Sequence, residues 1–258
     1  MSHDGGIRRA PTAACVVIGD EILTGKIQDR NSHTLAKVLF QRGVRLVRVE
    51  TIPDVLGDIA ETVRRLSSAF DYVFTSGGIG PTHDDKTYEG VALAFGRPLA
   101  YHGPTLEKFE AFRRSLGKGP LNEARKRMAL LPAGAEVWGT DDLWVPFVVV
   151  ENVHVLPGVP ELFERMLEAN AHRFSGLPLH RVEIFTDQFE GDIAETLTAA
   201  QVAHPEIAIG SYPQYGEQVP YKVKVTLEGA EPADVEALAV ELEGSLPARR
   251  TAHELLEP

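Results

Sequence analysis

The sequence predicts an α/β protein with a parallel sheet, followed by a small α+β domain. Three observations support this fold class. Short apolar runs of strand length alternate with amphipathic segments at helical spacing, which is typical of parallel sheets with helical crossovers. Beyond residue 176 the order changes to strand, helix, strand, strand and helix. A hydrophobic content of 43% and a charged content of 24% are ordinary for a globular protein.

The beginning of the chain is predicted to form a βαβαβ unit. Ala13–Ile18 is a continuous apolar run, as expected of a parallel strand that is covered on both faces. The helix that follows has an apolar stripe beginning at Leu35, and we expect Asn31 or Ser32 to cap it. The next elements are a strand over Val44–Val49, a helix with Ile59, Val63 and Leu66 on one face, and a strand over Tyr72–Phe74.

A helical pattern is predicted for the middle of the first domain, over residues 96–134. Pro104 suits the first turn of a helix in this segment. Val145–Val150 and Val153–Leu156 are predicted strands, and the two residues between them could form the turn of a hairpin.

Two domains are predicted, over residues 12–176 and 177–258. Gly176-Leu177-Pro178 has the composition of a linker. The predicted elements of the second domain are strand Arg181–Thr186, helix Asp192–Ala200, strands Ile207–Tyr212 and Tyr221–Leu227, and helix Val235–Leu246.

A glycine-rich loop follows the third predicted strand and precedes a helix predicted over Tyr88–Phe95. Three glycines within four residues let the backbone approach a ligand closely, and its N–H groups can surround an anion. The loop lacks the Gly-Lys-Ser/Thr of a Walker A motif, and His83 stands where a dinucleotide fingerprint needs its third glycine. The predicted ligand- or phosphate-binding residues here are Ser76, Gly77, Gly78, Gly80, Pro81, Thr82 and Thr87.

Carboxylates follow three successive predicted strands: Asp20 the first, Asp54 the second, and Asp84 with Asp85 the third. Parallel strands with right-handed crossovers bring their carboxyl ends to one edge of the sheet, where ligands bind. We therefore predict that Asp85, Asp54 and Asp20 are catalytic. Asp84 and Asp85 are the candidate ligands of a divalent metal, Mg²⁺ or Mn²⁺, which would shield the acids from substrate phosphates. Helix capping is the alternative role for each acid alone.

Composition and charge exclude several classes of protein. A net charge of −11 argues against a surface for nucleic acid or for an anionic membrane. No apolar run approaches the length of a membrane span, and the amino terminus lacks the apolar core of a signal peptide. The single cysteine, Cys15, lies in an apolar run and is expected to be a buried thiol. A cytoplasmic protein is the resulting expectation.

Three motifs carry a resemblance to a known family: Gly19–Asn31, Gly77–Thr87 and Leu156–Pro160. Together they resemble the molybdopterin-binding-like domain of the CinA family, part of the MoaB/MogA superfamily, and the N-terminal domain of eukaryotic FAD synthases. The resemblance covers about residues 12–175 and continues weakly through Gly210–Pro213. It implies a three-layer α/β/α domain and a homo-oligomer, either a dimer or a trimer. It also implies that further ligand-binding residues are Gly25, Asp29, Asn31, Pro157 and Gly158.

The resemblance implies two kinds of chemistry for a small-molecule nucleotide or pterin. In MogA-type enzymes the acids that match Asp54 and Asp85 handle a molybdopterin adenylate. In CinA proteins and FAD synthases the domain is linked to metal-assisted hydrolysis of ADP-ribose or FAD. MogA-type proteins have Ser-Asp-Arg at Gly19-Asp20-Glu21 and Arg-Asp at Asp84-Asp85. Both differences replace a cation by an anion, which disfavours a phosphorylated pterin in this chain.

Metal-dependent hydrolysis of a nucleotide diphosphate such as ADP-ribose or FAD is therefore the predicted function. One alternative is a molybdopterin-binding or adenylating protein of molybdenum cofactor biosynthesis, in which molybdopterin is the ligand. Another is a non-catalytic binding or oligomerisation module. The deamidase activity of CinA proteins and the adenylyl transfer of FAD synthases are not expected of residues 1–258, because neither domain is recognisable in them.

Overall fold

The computed structural model describes residues 10–139, 143–214 and 219–251. The amino-terminal segment, for which no signal peptide was expected, therefore lies mainly outside the described residues. The chain divides into two compact units, and the boundary falls between Leu177 and Pro178. Each unit has a hydrophobic core of its own. Within the described ranges, no helix has both the length and the apolar character needed to cross a membrane.

The first unit alternates strands and helices, as predicted for its beginning. Its elements in chain order are β1 (Thr12–Ile18), α1 (Asp20–Leu23), α2 (Asn31–Gln41), β2 (Arg45–Ile52), α3 (Leu56–Ala69), β3 (Tyr72–Ser76), α4 (Thr87–Ala94), β4 (Leu99–Tyr101), α5 (Gly103–Ser115), α6 (Glu123–Arg127), β5 (Leu130–Pro132), β6 (Glu136–Trp138), β7 (Phe147–Val150), β8 (Val153–Leu156) and α7 (Pro160–Asn170), with a 3₁₀ turn over Ala171–Arg173.

A six-stranded sheet in the order β2-β1-β3-β8-β7-β6 lies at the centre of the first unit. β1 pairs in parallel with both β2 and β3, and β3 pairs in parallel with β8. The remaining pairs, β8 with β7 and β7 with β6, are antiparallel. β1 is buried along its whole length, which explains why its sequence is an unbroken apolar run. The predicted α/β class with a mainly parallel sheet is confirmed.

The helical prediction for residues 96–134 is wrong at both ends of that segment. β4 and β5 form an antiparallel pair in which Leu99 faces Pro132 and Tyr101 faces Leu130. β6, which follows closely, was also not predicted. Strands of three residues are too short to show a period-two alternation, and the pairing joins residues about thirty positions apart in the sequence.

The cap of α2 also differs from the prediction. Asp29 Oδ1 accepts hydrogen bonds from the backbone N–H groups of Asn31 at 2.9 Å and Ser32 at 3.2 Å. Asp29 Oδ2 accepts a further hydrogen bond from the Ser32 hydroxyl. The carboxylate of Asp29 therefore satisfies the free donors at the start of the helix, and Asn31 is left to bond elsewhere.

The second unit has the predicted order of elements. It contains β9 (His180–Thr186), α8 (Glu190–Ala203), β10 (Ala208–Pro213), β11 (Val223–Gly229) and α9 (Pro232–Ser245). The three strands form an antiparallel sheet in the order β10-β11-β9. Ile184, Val225 and Leu238 are among the side chains buried between this sheet and its helices. The unit is thus a small α+β fold, as the sequence indicates.

Candidate functional site

A cleft of about 540 Å³ lies where β1 and β3 end. Its walls come from the glycine-rich loop after β3, the start of α2, and the turn after β8. Carboxylates of Glu21, Asp29 and Asp85 line it, together with Arg30. The volume falls in the usual range of small-ligand pockets, and the position is the one at which open α/β sheets bind ligands.

The glycine-rich loop packs too tightly for side chains at two positions. Gly77 has φ 103° and Gly78 has φ 65°, both in the left-handed region that favours glycine. A Cβ on Gly77 would overlap the carbonyl oxygen of Ile18, at the end of β1. A Cβ on Gly78 would overlap the hydroxyl of Thr87. Both glycines are therefore required by the packing of the loop against β1 and α4.

Thr87 does not line the cleft, and instead it stabilises the glycine-rich loop through hydrogen bonds. It is fully buried, and its hydroxyl donates to the carbonyl oxygen of Gly77 at 2.8 Å. Its backbone N–H donates to the carbonyl oxygen of Gly78 at 2.9 Å. The hydroxyl that was predicted to contact a ligand is thus already used to keep the two glycines in place.

Asp85 closes the far end of the loop and lines the cleft. Its Oδ2 accepts hydrogen bonds from the backbone N–H of Thr82 at 2.8 Å and from the Thr82 hydroxyl. The carboxylate also lies against Gly80, where a Cβ would come within 2.7 Å of Oδ2. The loop thereby positions the Asp85 carboxylate at the edge of the cleft.

Asn31 connects the three segments that form the cleft. Its Nδ2 donates to the Ser76 hydroxyl at 2.8 Å and to the carbonyl oxygen of Gly158 at 2.9 Å. Asn31 and Ser76 are both buried. The Gly158 position is also close to Gly77, since a Cβ there would lie 3.3 Å from the Gly77 Cα. These bonds tie α2, β3 and the turn after β8 together at the floor of the site.

A second group of acids lies beside the cleft, around Asp54. The backbone N–H of Asp20 donates to Asp54 Oδ2 at 3.0 Å. The pKa of Asp54 is raised, mainly by burial and then by the charges of Glu21, Asp20 and Asp84, against the lowering effect of that hydrogen bond. The pKa of Asp84 is lowered, mainly by the nearby Thr82 hydroxyl and then by its own backbone N–H. Acids from three strand ends therefore do affect one another electrostatically.

The donor set can hold a divalent metal only with help from a ligand. Among the residues that the structure describes, no three His, Cys, Asp or Glu side chains are grouped closely enough to hold a metal by themselves. Mg²⁺ commonly binds one or two carboxylates together with substrate phosphates and water. Asp85 fits that arrangement, because it lines the cleft as a single carboxylate beside the glycine-rich loop.

The structure divides the predicted site residues into two sets. Those that line the cleft are Asp29, Asn31, Ser76, Gly77, Gly78, Gly80, Pro81, Asp85, Pro157 and Gly158. Those outside its lining are Asp20, Gly25, Asp54, Thr82, Asp84 and Thr87. Met128 and Trp144 also line the cleft and were missed, because no local pattern links them to the glycine-rich loop.

Comparison with known proteins places this site in a family. A family model described as "Probable molybdopterin binding domain" matches residues 14–176. The chain belongs to this family. A second model, described as the middle domain of FAD synthase, matches residues 178–254 of this member.

Individual relatives agree with the family assignment. A Caenorhabditis elegans protein named "Probable FAD synthase" is 35% identical in an alignment of 257 positions that covers 90% of this chain and 49% of the relative. A protein of Archaeoglobus fulgidus is 35% identical over 201 residues, covering 78% of this chain and 85% of its own. The solved structure of CinA from Thermoplasma acidophilum, described as having unknown function, matches with a TM-score of 0.58 at 29% identity, over 64% of this chain and 98% of that one.

These matches confirm the predicted relationship to CinA proteins and to FAD synthases. They also show that the relationship extends over the second unit, where the sequence indicated it only weakly. This member of the molybdopterin-binding domain family spans about half the length of the Caenorhabditis relatives, at 49%.

Proposed function

We propose that this chain hydrolyses the diphosphate bond of a nucleotide diphosphate of the ADP-ribose or FAD class, with the assistance of a divalent metal. The observation that supports this most strongly is the Asp85 carboxylate at the edge of a glycine-rich loop, inside a cleft of ligand size. A loop of this kind offers backbone N–H groups to an anion, and a carboxylate beside it can orient a water or share a metal with a phosphate.

The negative charge of the cleft is the reason for including a metal in the proposal. The cleft is lined by Glu21, Asp29 and Asp85, and the acids around Asp54 lie next to it. A diphosphate would be repelled by these groups unless a cation lay between them. A bound Mg²⁺ or Mn²⁺ would supply that charge and polarise a phosphoryl oxygen.

The residues of the chain have distinct roles in this reaction. Asp85 would orient a water and accept its proton as the water oxygen attacks one phosphorus atom. The bond from that phosphorus to the bridging oxygen then breaks, so that ADP-ribose yields AMP and ribose 5-phosphate, and FAD yields AMP and FMN. Thr82 keeps the Asp85 carboxylate in place, and Asn31 holds the floor on which the diphosphate rests.

Pterin binding is the second candidate function, and the description of the family that matches residues 14–176 favours it. The acids at Asp20, Glu21, Asp84 and Asp85 argue against it, because a phosphorylated pterin would meet repulsion at each of them. The name of the Caenorhabditis relatives favours FAD as the first substrate to try.

A panel of diphosphates tests the proposal. Purified protein is incubated with FAD, ADP-ribose or NAD in the presence of Mg²⁺, Mn²⁺ or excess EDTA, and the products are separated by liquid chromatography. We expect AMP from at least one compound with metal and none with EDTA. Full turnover in EDTA, with the metal content of the protein measured as negligible, would remove the metal from the proposal.

The same panel separates the two alternatives. Saturable binding of a pterin phosphate without hydrolysis of any diphosphate would support the pterin function. No turnover and no binding would leave only a structural or oligomerisation role.

A further inference from the structure

A second pocket of about 220 Å³ adjoins the cleft. Pro81, Met128 and Trp144 line both spaces, so the two lie side by side at these residues. The rest of its wall comes from α5 and from the segment between α5 and β5. We name it the aromatic–basic pocket, and its lining residues include Phe109, Phe112, Arg113, Lys118, Arg125 and Trp144.

Aromatic side chains form one side of the aromatic–basic pocket. The rings of Phe112 and Trp144 are stacked, with centroids 5.3 Å apart and an angle of 13° between their planes. Phe109 meets Trp144 edge-on, at 5.4 Å and 72°. Phe109 is buried and anchors the group, whereas Phe112 is 38% exposed. Part of an aromatic surface is therefore open to a planar ligand.

Three cations surround the same pocket: Arg113, Lys118 and Arg125. None of them makes an ion pair with another residue in the described part of the chain. Arg113 is oriented by its Nε, which donates to the carbonyl oxygen of Gly119 at 2.7 Å. Positive charge collected in this way is unusual in a chain of net charge −11, and it lies next to a cleft lined by carboxylates. The pocket thus adds positive charge beside a cleft in which Arg30 is outnumbered by three carboxylates.

We propose that the aromatic–basic pocket binds the second base of a dinucleotide diphosphate whose diphosphate lies in the cleft. This inference rests on the proposed function and names its substrate class. At about 220 Å³ the pocket is smaller than the usual site for a complete ligand, so it suits one end of a ligand that also fills the cleft. The base stacks on the open surface of Phe112, and the cations face the phosphates on the cleft side.

The proposal makes diphosphates with two bases better ligands than ADP-ribose, which has one. The probes are methylene analogues of NADH, whose second base is uncharged, and of ADP-ribose; in both, CH₂ replaces the bridging oxygen and prevents hydrolysis. Their dissociation constants are measured by isothermal titration calorimetry in Mg²⁺. Binding is then tested independently of turnover, so a chain that binds but does not hydrolyse would refute the proposed function alone.

Two variants with matched controls locate the second base. Phe112→Ser removes the stacking surface, and we expect the NADH analogue to bind at least about fivefold more weakly while the ADP-ribose analogue is unaffected. Tyr101→Ser is its control, because Tyr101 is 52% exposed and lines neither space. Lys118→Gln with Arg125→Gln should weaken both analogues by about tenfold, since both contain the diphosphate.

The control for the charge change removes two cations elsewhere in the first unit. Arg45→Gln with Arg114→Gln alters the net charge equally, and neither residue lines the pocket. If Phe112→Ser weakened the binding of both analogues equally, the AMP half that they share would lie in the pocket, and the assignment would be overturned. Unchanged binding in both pocket variants, with a change of molecular mass in solution, would make this face a contact between copies of the chain and also overturn it.

Discussion

Replacement of Asp85 by Asn is the sharpest test of the candidate site. The carboxylate Oδ2 accepts two hydrogen bonds from Thr82, one from its backbone N–H and one from its hydroxyl. The amide oxygen of Asn can accept the same bonds, so the end of the loop should keep its shape. We expect the free energy of unfolding to fall by less than about 1 kcal/mol, because Asn replaces Asp well in local bonds of this kind.

Turnover should respond very differently to Asp85→Asn. The amide cannot accept a proton from water and binds a divalent metal poorly, so both roles proposed for the carboxylate are lost. We expect kcat to fall by at least ~100-fold, which corresponds to about 2.7 kcal/mol in the activation free energy. The assay is release of AMP from the substrate found in the diphosphate panel, with folding followed by urea denaturation.

Two further variants separate chemistry from loop structure. Asp58→Asn is the matched control, because Asp58 is an exposed carboxylate in the first turn of α3 and lies outside the cleft. Thr82→Val removes the hydroxyl that bonds Asp85 but keeps the charge, and we expect a smaller loss than in Asp85→Asn. A folded Asp85→Asn protein with near-native turnover refutes the catalytic assignment. A loss in Thr82→Val equal to that in Asp85→Asn would show instead that the carboxylate only maintains the loop.

Three other predictions concern stability. Burial lowers the pKa of His154 to about 4, so the neutral imidazole stabilises the folded state fully above pH 6.5, and this contribution is lost as the pH falls toward 4. The difference in unfolding free energy between wild type and His154→Phe should therefore change by roughly 3 kcal/mol between pH 7 and pH 4, and a constant difference would contradict this. The raised pKa of Asp54 shows that its ionisation is unfavourable in the folded state. The urea midpoint of Asp54→Asn should therefore be higher than that of wild type at pH 7 and equal to it below about pH 3.5, and a lower midpoint at pH 7 would refute the account. Gly77→Ala should lower the free energy of unfolding by at least about 2 kcal/mol, because the new Cβ would overlap Ile18 and the backbone has a positive φ. Gly57→Ala, in the open first turn of α3, should be neutral or slightly stabilising, and equal melting temperatures for the two variants would disprove the packing argument.

Sequence alone was sufficient for features that depend on neighbouring residues. The unbroken apolar run of β1 and the spacing of the helices indicated the parallel sheet, since each pattern lies within one element. The glycine-rich loop and Asp85 were identified from their order after β3, and the structure places both in the cleft. The positive φ of Gly77 and Gly78 is a local requirement for glycine, whereas the close approach of Gly77 to Ile18 is set by the tertiary structure.

Tertiary structure decided everything that depends on contacts between distant segments. The pairing of β4 with β5 and the bonds of Asn31 to Ser76 and Gly158 join residues far apart in the sequence. The bond of Thr87 to Gly77 spans only one loop, but no sequence pattern shows whether this hydroxyl bonds the loop or a ligand. Trp144 enters both the cleft and the aromatic–basic pocket for the same reason. A side chain with several possible partners bonds to the one that packing brings nearest, and packing is a property of the whole unit rather than of any local pattern.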